Sequence, residues 1–255
     1  MRKERAIQRA LLFNLSKKND YIVAVVEFTN RIDVDLEQQQ IVDNNYEYID
    51  EIIMGIEEIL KKIEITGIVA RRAERIEILL SFEKNINKGG LLTIFKLKIE
   101  NFVLLKYKEL EYRIGVGRYF NGIESVNNSL MDAERAIKTG QLLNKGKSVS
   151  FDSLGIYKIL CQEGIQDELK WFYEETLKSL DDYDEKKSTE LVKTLEAYFS
   201  CNENLKKMSD SLFTHYNTIL YRVQRINEIT GIPLNNPDHR LSLEIALKLR
   251  KLLKS

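Results

Sequence analysis

The chain has 255 residues, 39 Lys and Arg against 39 Asp and Glu, and therefore no net charge at neutral pH. Its overall charge gives no argument for a polyanion partner, and its length suits two compact units that each bury a core. No apolar run reaches the roughly eighteen residues of a membrane span, and residues 1–20 lack a signal-peptide core, so a cytoplasmic protein without membrane contact is expected.

Residues 1–16 fit an amphipathic helix through Ile7, Ala10, Leu11 and Leu15, a candidate for pairing with a second copy. The run YIVAVVEF (21–28) suits a buried strand, and residues 38–63 show helical periodicity through Ile41, Ile49, Ile52, Ile53, Ile56, Ile59, Leu60 and Ile63. GIVARRA (67–73) and RIEILLSF (75–82) read as a hairpin, and Arg71, Arg72 and Arg75 at its tip make either a solvated turn or an anion contact. Gly89 and Gly90 precede a helix over 91–107, YRIGVGRYF (112–120) reads as a strand, and 123–143 as a helix. The order β-α-β-β-α-β-α predicts an α+β unit with a ferredoxin-like core, its helices on one face. Gly115-Val116-Gly117 lacks the third glycine of a phosphate loop and sits inside a strand, so it reads as a close-packed turn or strand kink.

Four segments are expected: an N-terminal helix (1–19), an α+β domain (20–145), a helical linker (146–190) and an all-α C-terminal domain (191–255). Charge is unevenly spread. Residues 163–196 hold five Lys and Arg against eleven Asp and Glu, and residues 201–255 nine against five, an acidic linker ahead of a basic tip as electrostatic steering onto phosphates would require. Cys161 and Cys201, without a base beside them, fit reduced thiols, and His215 and His239 are too few and too separated for a metal site. No catalytic group, metal or cofactor is expected.

Asn204–Ile226 (NLKKMSDSLFTHYNTILYRVQRI) reads as two short helices joined by a tight turn. Leu205, Met208, Leu212 and Phe213 would pack the first helix, Thr214 and His215 form the break, and Ile219, Val223, Ile226 and Ile229 face the second inward. The outer face then presents Asn217, Tyr221, Gln224, Arg225 and Glu228, flanked by Thr218 and Arg222. Asn, Gln and Arg read base edges, and Thr, Tyr and Arg hold phosphates, so a helix for the DNA major groove is one reading. An ordinary helical hairpin with a polar face is the other.

HYNTILYRVQRINEITG (215–231), followed by PLNNPDHRLSLEIALKLRKLL (233–253), resembles the C-terminal domain of the PucR/CdaR family of bacterial transcription regulators. His215, Asn217, Thr218, Tyr221, Arg222, Arg225, Ile226, Thr230 and Gly231 match its pattern, as do Pro237, Arg240, Leu241, Leu243, Ala246, Leu247, Leu249 and Arg250. Tyr216 stands where an arginine is common, and Leu220 where a basic residue often is. Residues 151–160 and 180–205 resemble the family's lead-in to its helix-turn-helix, and 112–137 the end of its GGDEF-like domain, a nucleotide-cyclase palm. The likeness covers nearly all of the chain from about residue 20 onward, and the N-terminal sensory domain that many relatives carry is expected to be absent from it.

The resemblance implies a regulator that binds double-stranded DNA as a homodimer, answers to a small-molecule effector of unknown kind, and meets DNA through His215, Tyr216, Asn217, Thr218, Tyr221, Arg222 and Arg225. Asn217 and Thr218 would hold a phosphate at the helix start, Tyr221 and Arg225 would reach base edges, and Arg222 would hold a phosphate or a neighbouring carboxylate. Active cyclases of the related kind carry Gly-Gly-Asp/Glu-Glu-Phe at the hairpin. Here the turn reads Arg71-Arg72-Ala73-Glu74-Arg75, and Glu27–Arg31 lacks a spaced aspartate pair, so an inactive domain for dimerisation or sensing is expected. The alternative is a protein-interaction module that does not bind DNA.

Overall fold

The computed structural model describes residues 15–16, 18–28, 47–84, 86–108, 110–162 and 164–254. Residues 1–14 and 17 of the helix expected within 1–19, the start of the helix expected over 38–63, and residues 29–31 lie outside them, and the described Leu15, Ser16, Lys18 and Asn19 are not helical. The chain divides into two compact units, Met1–Lys158 and Ile159–Ser255.

The first unit is a mixed sheet with helices. Its elements are β1 (Asp20–Phe28), α1 (Glu47–Lys62), β2 (Thr66–Arg72), β3 (Arg75–Phe82), α2 (Lys88–Lys106), β4 (Tyr112–Val116), β5 (Phe120–Asn121), α3 (Val126–Leu142) and β6 (Ser148–Ser150). The sheet runs β2-β3-β1-β4-β6, with β5 also on β1. Strand β1 pairs antiparallel with β3 (Val23 opposite Leu79) and with β4 (Val25 opposite Gly115), while β6 runs parallel to β4.

An uninterrupted apolar strand needs cover on both faces, and β1 has it. Ile22, Ala24, Val26 and Phe28 join the core with Ile49, Ile52 and Ile56 of α1 and Phe95, Ile99 and Val103 of α2. Val23 and Val25 pack with Ala133 and Ile137 of α3. Helices therefore cover both faces, not one, because alternate residues of β1 are equally apolar.

The expected strand 112–120 is interrupted after Val116. Gly117 N–H turns to the Val23 carbonyl (2.9 Å), and the buried Ser129 hydroxyl accepts from Val23 N–H (2.8 Å) while donating to the Arg118 carbonyl (2.7 Å). A Cβ on Gly115 would lie 2.1 Å from the Ala133 carbonyl oxygen, and one on Gly117 2.0 Å from that of Ser129. The two glycines let α3 lie directly on the strand, so the close-packed reading of this motif holds. Helix α2 starts at Lys88, earlier than expected, because Asn87 caps it by accepting from Gly90 N–H (3.2 Å).

The stretch 146–190, expected as a linker, is shared between the units. Its beginning completes the sheet as β6, followed by α4 (Tyr157–Leu160). Its remainder supplies α5 (Gln166–Thr176) and α6 (Lys178–Lys187) to the second unit, with α7 (Leu191–Ser200), α8 (Leu205–Ser211), α9 (Tyr216–Thr230) and α10 (Pro237–Leu253). That unit is all helical: α10 packs on α5, and α9 on α6, α7 and α8. Among the described residues no helix is long and apolar enough to cross a membrane.

Candidate nucleic-acid interface

Helix α8 begins at Asn204, whose side chain accepts from Lys207 N–H (3.0 Å), and it is anchored by the fully buried Met208. The turn that follows is tied by Thr214 N–H to the Ser209 carbonyl (3.0 Å) and by Ser209 Oγ donating to the Thr214 carbonyl (2.6 Å). His215 caps α9 through Nδ1, which accepts from Asn217 N–H (3.3 Å). Asn217 and Thr218 thus occupy the first turn, as their spacing predicts. Ile219 and Ile226 are fully buried beneath the helix, and Val223 and Ile229 partly so. Thr230 Oγ1 returns to the Ile226 carbonyl (2.8 Å), and Gly231 ends the helix at φ 67°.

One inward assignment fails. Phe213 is 96% exposed, at φ 51°. Helix α8 has already ended, and a left-handed residue sends its side chain off the helical face.

The outward surface of α9 consists of Tyr216, Asn217, Thr218, Leu220, Tyr221, Gln224 and Glu228, all exposed. The two arginines of the helix behave differently. Arg222 is half-buried, with Nη1 donating to Thr194 Oγ1 (3.3 Å) and 3.6 Å from Glu190 of the loop before α7, a neighbouring carboxylate. Arg225, expected to reach outward, lies back against α6. Its guanidinium is 5.1 Å from the Tyr183 ring centre, Nη2 donates to the Tyr183 hydroxyl (3.5 Å), and Nη1 pairs with Glu228 (2.7 Å). The hydrogen bonds to Glu228 and Tyr183 raise its already high pKa. Position 225 lies on the flank of the α9 wheel, nearer to α6 than to the open face.

The uneven charge is largely consumed inside the unit. Seven of the nine basic residues of 201–255 lie within 4.0 Å of a carboxylate: Arg222, Arg225, Arg240, Lys248, Arg250, Lys251 and Lys254. Several partners belong to the acidic stretch, among them Asp181, Glu190 and Glu196. Acidic helices and basic tip are therefore packed partners rather than a linker and its cargo. The two other cations, Lys206 and Lys207, stand exposed on α8. Their position just after the capping Asn204 was the signal in the sequence. Tyr183, Glu190 and Thr194, far away along the chain, left none.

In the first unit the β2–β3 hairpin, with Glu27 and Phe28, lines a shallow pocket formed by Arg71, Arg72, Ala73, Glu74 and Arg75. Arg75 is bound by Glu77 (2.6 Å) and Glu134 (2.7 Å), Arg72 lies 3.7 Å from Glu77, and Arg71 3.7 Å from Asp50. Cationic side chains hold this turn, a poor donor set for a divalent ion. Among the described residues no group of three or more His, Cys, Asp or Glu is placed to hold a metal.

Comparison with known proteins gives two family matches: a GGDEF-like domain over residues 2–139, and a PucR C-terminal helix-turn-helix domain over residues 191–249. The proline-responsive transcriptional activator PutR of Bacillus subtilis is 33% identical over 54% of this chain and 34% of its own. The DNA-binding transcriptional activator AdeR of the same organism is 29% identical over 68% of this chain and 42% of its own. The carbohydrate diacid regulator of Escherichia coli is 26% identical over 95% of this chain and 65% of its own. The chain thus spans between about a third and two thirds of the length of these relatives.

Proposed function

We propose that this chain, which belongs to the GGDEF-like family over its first half and carries a PucR C-terminal helix-turn-helix domain, is a cytoplasmic DNA-binding transcription regulator of the PucR/CdaR type. The observation that carries the reading is the capped helix α9. It is held from beneath by Ile219 and Ile226 and turns Tyr216, Asn217, Thr218, Tyr221 and Gln224 outward, while Lys206 and Lys207 stand exposed on the preceding helix α8. In this reading Asn217, Tyr221 and Gln224 face base edges, Thr218 and the two lysines hold phosphates, and His215, Arg222 and Arg225 fix the helix in place. The operator is double-stranded, and the working unit is a homodimer, since one helix-turn-helix makes few phosphate contacts and two-fold pairing reads two half-sites.

The first unit serves this regulator as a catalytically inactive scaffold for dimerisation or for sensing a small molecule. The order β2-β3-β1-β4, antiparallel throughout, supports the ferredoxin-like plan of a nucleotide-cyclase palm, and the arginine-held hairpin supports the loss of cyclase chemistry.

A protein-interaction module without DNA contact is favoured by one observation, the exposure of Phe213, Tyr216, Leu220 and Tyr221 around the turn. Titration of genomic fragments over a salt series separates the two. A regulator binds a subset of fragments with a steep salt dependence, and replacing Lys206 and Lys207 by alanine flattens the slope by about two units. A folded protein that retains no duplex at any salt concentration overturns the proposal in favour of the module.

A further inference from the structure

We infer that helix α9 selects half-sites rich in A·T base pairs, through side-chain amides to adenine and apolar contacts to thymine methyl groups. The inference rests on the DNA-binding reading above and concerns which bases the surface fits. Each base pair shows a distinct pattern in the major groove. Guanine is read chiefly by Arg or Lys, cytosine by a carboxylate, adenine by Asn or Gln, and the thymine methyl by apolar surface.

The groups free on α9 fall on one side of that division. Arg222 and Arg225 are its only cations, and both are engaged: Arg222 with Thr194 and Glu190, Arg225 between the Tyr183 ring and Glu228. Reaching a guanine with Arg225 would break its ion pair and its ring contact together. Glu228, the one carboxylate of the helix, is the other half of that pair and is not free for cytosine.

Apart from Thr218 at the helix start, what remains exposed is a row of Asn217, Tyr221 and Gln224, at steps of four and three. Beside it runs a second row, Tyr216 and Leu220, at a step of four. Tyr221 is 63% exposed and Tyr216 45%. The two amides of the first row, Asn217 and Gln224, bordered by the rings and apolar surface of Tyr221, Tyr216 and Leu220, place adenine readers next to thymine-methyl contacts, which is how the two bases of one pair, or of neighbouring pairs, are arranged across the groove.

The test is selection of duplexes from a random pool with the full chain, followed by single-base analogues in the best duplex. A·T-rich half-sites are expected. Replacing contacted thymines by uracil, which removes only the methyl group, should weaken binding by about fourfold at each such position. Replacing contacted adenines by 7-deazaadenine should weaken it by about tenfold. Leu220→Ala should abolish the penalty for uracil at one position while keeping the rest. Half-sites that require guanine, with that requirement lost on Arg225→Ala, overturn the inference, as does indifference to uracil throughout. Either result leaves the DNA-binding proposal standing, whereas failure to select any duplex removes both.

Discussion

Phe213 sits in the left-handed region between α8 and α9, where a side chain with a Cβ meets the following carbonyl. Its ring is almost wholly exposed, so no burial within this chain offsets that conformation. Phe213→Gly should therefore raise the thermal stability of the protein, by about 0.5 kcal/mol once the greater freedom of glycine in the unfolded chain is deducted. A lowered melting temperature would show that the ring makes a stabilising contact. Residue identity alone did not reveal this position, because a phenylalanine after Leu212 fits an apolar helical face. It leaves that face only because the helix stops two residues earlier.

Among the elements, α7 takes its N-terminal cap from a neighbouring helix. Its own preceding residue, Glu190, offers no side-chain cap. Asp184 of α6 does so instead: Oδ1 accepts from Leu191 N–H (2.8 Å) and from Thr189 Oγ1 (2.5 Å), and Oδ2 accepts from Val192 N–H (2.8 Å). A carboxylate also suits the positive end of a helix dipole. Asp184→Ala should cost about 1–2 kcal/mol in urea unfolding, and Asp184→Asn less, since one amide oxygen still accepts. Equal stability of wild type and alanine variant would mean that water caps α7 as well. Because α7 also carries Thr194, and Glu190 precedes it, loosening its start should loosen the seat of Arg222 on α9.

At the scale of the second unit, Asp181 joins three helices. Its carboxylate, almost wholly buried, accepts from the Tyr173 hydroxyl of α5, from Arg250 Nε of α10 (2.8 Å) and from Lys254 Nζ just beyond it (3.1 Å). Burial alone would raise its pKa. The hydrogen bonds from Tyr173, Arg250 and Lys254 outweigh burial and hold the pKa below the usual 3.8. Burial, and then the bond to Asp181, pushes the Tyr173 hydroxyl upward. A depressed carboxylate stabilises the fold fully above its unfolded value of 3.8 and ceases to do so as pH falls through the lower folded value. Asp181→Asn should therefore lose about 3 kcal/mol at neutral pH, since Arg250 loses its carboxylate partner and Lys254 keeps only Glu185. It should also lose less on acidification below about pH 4 than the wild type does. Parallel urea titrations at neutral and acid pH check both. Equal acid sensitivity in the two proteins would rule out Asp181 as a source of it.

The sequence by itself determined the order β1-α1-β2-β3-α2-β4-α3 in the first unit, though neither β5 nor β6, the close packing at Gly115 and Gly117, and the helix-turn-helix frame with its break at Thr214 and His215. Each is written in short-range signals: apolar periods of two and near four, a glycine pair, a capping residue. Tertiary structure decided what those signals do not contain. Alternation along β1 is apolar on both sides, so only the packed sheet reveals that α3 takes the face opposite α1 and α2. Charges counted along the chain suggested a basic tip, but ion pairs form between helices, and most of the tip's cations are held by α6, α7 and their connecting loop or within their own helices. The direction of Arg225 was likewise set by Tyr183, 42 residues away, because a flank position on a helix turns toward whichever neighbour offers a ring and a carboxylate.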